Sequence, residues 1–123
     1  MESDLYQPIQ LSYSKRGSRL WRNNVGAVHT ADGRFLRFGL ANESAGVNKE
    51  IKSSDLIGIT PVIITQEMVG QTVGVFTSIE VKRIGWSYTG SDREKAQNKW
   101  IELIRKLGGI AGFTNNSEGG IVK

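Results

Sequence analysis

Two long apolar runs near the middle of the chain constrain its fold more than any other feature. One run spans Asp55–Thr65 and the other spans Val73–Arg83, and both are dense in Val, Ile and Thr. Runs of this composition are typical of central strands that are buried on both faces. Pro61 predicts that the first run bends or breaks midway, because proline cannot donate a hydrogen bond to a neighbouring strand.

A first helix is predicted before these runs, over residues 2–16. Leu5, Ile9 and Tyr13 recur at a spacing of four and so lie on one stripe of that helix. Pro8 leaves two alternatives open, because proline inside a helix removes a hydrogen bond and clashes with the preceding turn. Either a short turn precedes a helix that has Pro8 in its first turn, or the helix is kinked there.

A second helix is predicted after the runs, and its start is marked by a capping box. Ser91 and Glu94 have the spacing at which each side chain caps the other's backbone N–H. An apolar stripe at helical spacing follows and ends before two glycines, and its members are Ala96, Trp100, Leu103, Ile104 and Leu107.

The remaining segments complete an α/β pattern. Arg19–Ala27 and Arg34–Leu40 are predicted strands, with Asp32-Gly33 between them as a hairpin turn, and Ile110–Thr114 is a further strand. The polar segment Ala41–Ser53 is predicted to be a loop. The order of helix, strands, helix and strand predicts a central mixed β-sheet flanked by helices. With 123 residues, we expect one domain over positions 1–123.

Composition excludes several kinds of chemistry. The chain has no cysteine, which excludes a disulfide framework, a thiol nucleophile and a cysteine-built zinc site. It has one histidine, which excludes a histidine-rich metal cluster. Carboxylates, lysine and a bound divalent cation are what remain. No apolar stretch approaches the roughly 20 residues of a membrane helix, and no export leader is recognisable, so we expect a location in the cytoplasm and no membrane partner.

Charge is unevenly distributed along the chain. Sixteen Lys and Arg residues against twelve Asp and Glu residues give a net charge of +4. The segment 53–79 holds only Asp55 and Glu67, whereas the segments on both sides of it are basic. This distribution is typical of catalytic carboxylates set in a phosphate-binding surface, although a modest positive charge also serves solubility alone.

One pair of residues at the end of the second apolar run suggests a reaction. Glu80 and Lys82 are two positions apart on a predicted strand, so their side chains point to the same face. If the two runs pair antiparallel, Asp55 approaches them. Two carboxylates provide the hard oxygen ligands that Mg²⁺ prefers, and a lysine stabilises charge on a phosphate. A strand-end ion pair and a turn-capping aspartate are the structural alternatives.

These residues, in this order, resemble the VRR-NUC domains of the PD-(D/E)XK nuclease superfamily. The resemblance covers Glu2 to about Gly112. It rests on four motifs in order: Leu20-Trp21-Arg22-Asn23-Asn24-Val25-Gly26-Ala27, Ser54-Asp55-Leu56-Ile57-Gly58, Glu80-Val81-Lys82 and Gln97-x-x-Trp100. It implies a restriction-endonuclease-like core and a homodimer similar to Holliday-junction resolvases, acting in a bacterial or phage-infected cell.

The resemblance also implies roles for individual residues. Asp55 and Glu80 are expected to bind Mg²⁺ or Mn²⁺, and Glu2 is the match for a further metal ligand on the first helix. Lys82 is the expected catalytic lysine. Gln97 is expected to orient Lys82 or the scissile phosphate, and an exposed helix glutamine is the alternative.

A basic surface around this site is expected to hold DNA. Donors suited to phosphate cluster before the first strand and near the metal ligands. The expected DNA-binding residues are Lys15, Arg16, Arg19, Arg22, Asn23, Asn24, Ser54 and Arg83. Trp86 and Tyr88 follow in a loop where we expect exposed aromatic rings, which either wedge against bases or pack on a dimer partner.

The sequence thus predicts a metal-dependent endodeoxyribonuclease that hydrolyses phosphodiester bonds in branched DNA such as a four-way junction. Two alternatives remain on the same fold. One is a sequence-specific restriction-type or nicking nuclease, and the other is a nucleic-acid-binding module without catalytic activity.

Overall fold

The computed structural model describes residues 2–123. The chain divides into two compact units, the first ending at Gly58 and the second beginning at Ile59. Both units combine helices with strands, so the predicted α/β class is confirmed. Within residues 2–123 the strands form three two-stranded sheets, which differs from the single central sheet predicted. No helix described in this range is long and apolar enough to cross a membrane.

The first unit begins with a short 3₁₀ turn that leads into a helix. The turn is Glu2–Leu5 and the helix, α1, is Tyr6–Lys15. Pro8 is therefore the third residue of α1, where its missing N–H would have no partner within the helix in any case. Of the two alternatives for Pro8, the short turn before the helix is the one that forms. Gly17, with φ of 88°, follows the helix in a left-handed conformation.

Three strands, a short helix and a fourth strand follow α1. They are β1 (Arg19–Arg22), β2 (Gly26–His29), β3 (Phe35–Phe38), α2 (Ala45–Glu50) and β4 (Leu56–Ile59). β2 and β3 pair antiparallel from Gly26 opposite Phe38 to His29 opposite Phe35, which confirms the predicted turn at Asp32-Gly33. The prediction of one strand over Arg19–Ala27 is wrong, because these residues are divided between β1 and β2, which belong to different sheets. Gly33 in its turn has φ of 87°.

The segment predicted to be a loop contains α2, so that prediction is wrong. Ser44 is the N-cap, and its side-chain oxygen accepts a hydrogen bond from the backbone N–H of Val47 at 3.1 Å. The helix has only six residues and includes a glycine. An apolar stripe is too short to be recognised over so few positions.

The second unit is built on a strand–helix–strand segment. After a 3₁₀ turn at Gln66–Met68 come β5 (Thr77–Val81), α3 (Asp92–Lys106) and β6 (Ile110–Thr114). β5 and β6 are parallel, and α3 is the crossover connection that parallel strands require. Ile101 and Ile104 of α3 are fully buried, as is Phe113 of β6. The predicted capping box and the predicted strand over Ile110–Thr114 are both confirmed.

The two apolar runs do not pair as predicted. β4 is hydrogen-bonded to β1, and β5 is hydrogen-bonded to β6. Each strand is also shorter than its run, and β4 ends two residues before Pro61. Exposed and half-buried residues alternate along β5, so the prediction of burial on both faces is wrong for the second run.

Candidate functional site

Three of the predicted site residues meet in the second unit. Gln97 lies in the second turn of α3, and its amide is placed between the side chains of Glu80 and Lys82. The Lys82 Nζ donates to Gln97 Oε1 at 2.8 Å, and Gln97 Nε2 donates to Glu80 Oε1 at 2.8 Å. Lys82 Nζ and Glu80 Oε1 are 3.9 Å apart. We call these three residues the polar cluster.

The amide of Gln97 determines the direction of both hydrogen bonds in this cluster. Its oxygen can only accept and its nitrogen can only donate, so one orientation serves both the ammonium and the carboxylate. The Lys82 side chain is 15% exposed, whereas that of Glu80 is 39% exposed. Glu80 and Gln97 line a cavity of about 320 Å³ with Ser78 and Trp100. The cluster therefore holds its cation inside and presents its carboxylate towards a cavity that a ligand can enter.

Two aromatic rings also lie near the ammonium of Lys82. The Lys82 Nζ is 5.6 Å from the ring centroid of Trp86 and 5.7 Å from that of Phe113. The Trp86 and Phe113 rings are themselves 4.9 Å apart, and Tyr88 lies 5.9 Å from Phe113. Trp86 and Tyr88 are half-buried against their own unit, so the prediction of an exposed aromatic loop is wrong for these two residues.

Glu94 holds the loop that carries these rings. One carboxylate oxygen, Oε2, accepts from Trp86 Nε1 at 2.7 Å. The other, Oε1, accepts from the Thr89 hydroxyl at 2.8 Å and from the Thr89 backbone N–H at 2.9 Å. These hydrogen bonds, those from Thr89 above all, lower the pKa of Glu94 to about 2. Glu94 is thus ionised at neutral pH and acts as a fixed acceptor.

The other two predicted carboxylates lie together in the first unit. Glu2 and Asp55 line a cavity of about 370 Å³ with Tyr6, Ile9 and Leu56. The Tyr6 hydroxyl is hydrogen-bonded to the Asp55 carboxylate. Burial raises the pKa of Tyr6, and the negative charge of Asp55 raises it further. Sequence reasoning used Tyr6 only as part of a helix and missed this contact, because the two residues are far apart in the chain.

The donor chemistry of these carboxylates fits a hard divalent cation. Glu2 and Asp55 offer oxygen ligands, as Mg²⁺ and Mn²⁺ prefer, and Mg²⁺ commonly uses one or two carboxylates with water and phosphate as its other ligands. Within each unit, over residues 2–58 and 59–123, no three His, Asp or Glu side chains gather into a metal-sized group. A cation held by either unit alone would therefore take most of its ligands from water or substrate.

The predicted DNA-binding residues have different environments. Lys15 is in the last turn of α1, and the Arg16 guanidinium stacks 4.3 Å from the ring centroid of Tyr13. The Arg22 guanidinium lies 5.0 Å from the ring centroid of Tyr6. The remaining exposed members of the set are Arg19, Asn24, Ser54 and Arg83.

Asn23 has a different role from its neighbours. Its amide nitrogen donates to Ser53 Oγ at 2.8 Å and to the Ser54 carbonyl at 2.9 Å. Its backbone N–H donates to the Asp55 carbonyl at 2.9 Å. Both amide hydrogens are thus directed to the segment before β4, where they hold Asp55 beside β1 and are not offered to a phosphate.

Comparison with known proteins gives no relative to reason from. No family model, curated protein or solved structure matches the chain.

Proposed function

We propose that this chain is a metal-dependent endodeoxyribonuclease that hydrolyses phosphodiester bonds in branched DNA, on a restriction-endonuclease-like core of the PD-(D/E)XK type. The observation that carries the proposal is the polar cluster, in which an amide holds a nearly buried ammonium beside a half-exposed carboxylate. A surface ion pair does not need such an intermediary, and exposed pairs of this kind contribute little to stability.

The proposed roles follow from the direction each group faces. Glu80 faces a cavity of the second unit and is a proposed metal ligand there. Asp55 and Glu2 line a cavity of the first unit and are the proposed metal ligands of that unit. A bound Mg²⁺ or Mn²⁺ supplies Lewis-acid polarisation of the phosphate and a more acidic water. The ammonium of Lys82 is hydrogen-bonded to Gln97. It supplies positive charge where negative charge develops on the phosphate oxygens.

The reaction itself is a hydrolysis with a simple balance. Water adds to phosphorus, one backbone P–O bond breaks, and the departing oxygen takes up a proton. Gln97 contributes by holding Lys82 and Glu80 at a fixed separation, so that no reorganisation is needed when charge develops. Gln97 is thus a positioning residue in this proposal.

DNA binding is proposed to use exposed cations on or beside the strands of each unit. Arg19 and Arg22 of β1 and Arg83 after β5 are the charged members of the expected set that lie on or beside strands. Phosphate contacts of this kind fix register without reading sequence. Symmetric cutting of two strands would require two copies of a chain this small, so the proposal includes a homodimer.

The test is a cleavage assay on end-labelled four-way junction, flap, plain duplex and single-stranded DNA. Each substrate is incubated with Mg²⁺, with Mn²⁺ and with chelator. The variants are Lys82→Ala and Gln97→Leu. The matched control is Asn98→Leu, because Asn98 is also an amide on α3, and its side chain donates at the surface to Glu102 Oε1 at 3.0 Å.

Metal-dependent cuts at the junction that are lost in Lys82→Ala, reduced in Gln97→Leu and retained in Asn98→Leu would support the proposal. Cleavage of plain duplex only at particular sequences would replace the junction substrate by a restriction-type one. DNA that is retarded in a gel but uncut with every metal would leave a binding module and refute the catalytic part.

Asp55→Asn and Glu80→Gln test the proposed ligands of the two units one at a time. A change that removes a metal ligand raises the metal concentration needed for half-maximal cleavage. An unchanged metal requirement in either variant would remove that residue from the proposed ligands.

A further inference from the structure

The ammonium of Lys82 has one polar and two aromatic neighbours. Gln97 Oε1 accepts its hydrogen bond at 2.8 Å. The ring centroids of Trp86 and Phe113 lie 5.6 and 5.7 Å from Nζ. A cation within about 6 Å of an aromatic ring centroid is attracted by the negative face of the ring. A lysine has a flexible four-carbon stem, so one hydrogen bond alone leaves its head group several positions.

The Trp86 ring is itself held in place. Its indole N–H donates to Glu94 Oε2 at 2.7 Å, and its backbone carbonyl accepts from Asn115 Nδ2 at 2.9 Å. Glu94 is 7% exposed, and its second oxygen is bonded to the Thr89 segment. The ring next to the lysine is therefore anchored through a buried carboxylate as well as by packing.

Glu94, which anchors Trp86, and Gln97, which binds Lys82, lie on the same face of one helix. Glu94 and Gln97 are three positions apart on α3, and residues at this spacing are neighbours on a helix surface. The capping box that starts α3 fixes Glu94, with Ser91 Oγ accepting from the Glu94 backbone N–H at 3.2 Å. The first two turns of α3 thus control both the polar and the aromatic contacts of Lys82.

We infer that Trp86, anchored by Glu94, is a positioning residue that holds the Lys82 ammonium in the polar cluster. This inference rests on the proposed function for its catalytic consequence, but the contact itself can be measured without any activity. Tyr88 provides the contrast within the same aromatic group. Its ring lies 6.4 Å from Trp86, and the cation over it is Lys123 at 4.4 Å.

The first measurement is the NMR signal of the Lys82 ε-methylene group in protein labelled with ¹³C-lysine, assigned with Lys82→Arg. The rings of Trp86 and Phe113 both shift this signal upfield in the wild type, since both lie within 6 Å of the ammonium. Trp86→Leu removes the ring current of the indole whatever the lysine does, so the informative quantity is the part of the shift that comes from Phe113. If Trp86 holds the ammonium in place, we expect the signal in Trp86→Leu to move fully to the position of an exposed lysine, and in Trp86→Phe, which keeps a ring, to move less. In the control Tyr88→Leu it should stay in place. A signal that keeps the upfield shift from Phe113 in folded Trp86→Leu, or an equal movement in Tyr88→Leu, would overturn the inference.

If Trp86→Leu does not fold, Glu94→Gln gives the same comparison, because it keeps the indole and loosens its anchor. A moved Lys82 signal in Glu94→Gln supports the inference, and an unmoved one overturns it.

The second measurement is cleavage. A lysine displaced by about 1 Å can cost up to about 100-fold in rate, so we expect kcat to fall by about 10- to 100-fold in Trp86→Leu with little change in KM, and to recover in part in Trp86→Phe. Equal kcat in Trp86→Leu and wild type would overturn the role in positioning. If no variant and no wild-type protein cleaves DNA while the NMR shifts behave as expected, the proposed function fails and the positioning of Lys82 stands.

Discussion

Gly58→Ala is expected to destabilise the first unit strongly. A Cβ at this position would lie 1.8 Å from the carbonyl oxygen of Arg19 and 2.8 Å from the Cα of Leu20, both backbone atoms of β1. Restoring an ordinary contact of about 3.5 Å requires the strands to separate by roughly 1.7 Å. The hydrogen bond from the Asn23 N–H to the Asp55 carbonyl, now 2.9 Å, would then exceed hydrogen-bonding distance.

The magnitude follows from these two terms. Overpacking of this kind costs about 1–3 kcal/mol, and each lost backbone hydrogen bond costs about 1 kcal/mol. We therefore expect the free energy of unfolding to fall by about 3 kcal/mol, measured by urea denaturation, with faster amide hydrogen exchange at Asn23. Gly74→Ala is the matched control, because an added Cβ there has no atom within 4 Å. A Gly58→Ala variant within about 0.5 kcal/mol of wild type would refute the close approach of β1 and β4.

Three further predictions concern stability. Folding lowers the pKa of Glu94 from 4.5 to about 2. The contribution of the ionised Glu94 to stability is therefore complete above about pH 4.5 and is lost as the pH falls towards 2. The urea midpoints of wild type and Glu94→Gln should converge as the pH falls through this range. Asn42, 3% exposed, donates to two backbone carbonyls, so Asn42→Ala should lower the free energy of unfolding by about 2 kcal/mol, whereas the exposed Asn24→Ala should be near neutral. Gly46 lies within α2, and a Cβ added there would meet only the Ser44 Oγ at 3.7 Å, which is an ordinary contact. Gly46→Ala should therefore raise the melting temperature, reflecting about 0.5–1 kcal/mol of stabilisation, and an unchanged or lower value would contradict this.

Elements with strong local signals could be predicted from the sequence. The capping box of Ser91 and Glu94 fixes the start of α3, and Asp32-Gly33 marks the hairpin, because both signals depend on residues a few positions apart. α2 was missed because its main signal is one capping serine. The partners of β4 and β5 could not be predicted, since an apolar run indicates that a strand forms but not which strand lies beside it or how much of it is covered.

In the polar cluster, too, contacts within one strand could be predicted and contacts between different elements could not. The spacing of Glu80 and Lys82 on a strand correctly predicts that their side chains meet. The nearness of Gln97 to both was expected only through family resemblance, and the structure supplies the two hydrogen bonds. The half-buried position of Trp86 was missed because it depends on Glu94 of α3 and Phe113 of β6, whereas Trp86 itself lies in the loop between β5 and α3.

The polar cluster is carried by one continuous stretch of chain. Gln97 is 15 residues from Lys82 and 17 residues from Glu80, and a single strand-to-helix connection joins them. A rearrangement that moves β5 and α3 together, such as recombination between related genes or a graft onto another sheet, would therefore carry all three side chains with their mutual geometry. Glu2 and Asp55 lie outside this stretch and would not be carried with it. A segment that contains β5 and α3 thus keeps the lysine together with its glutamine and Glu80, independently of the carboxylates of the first unit.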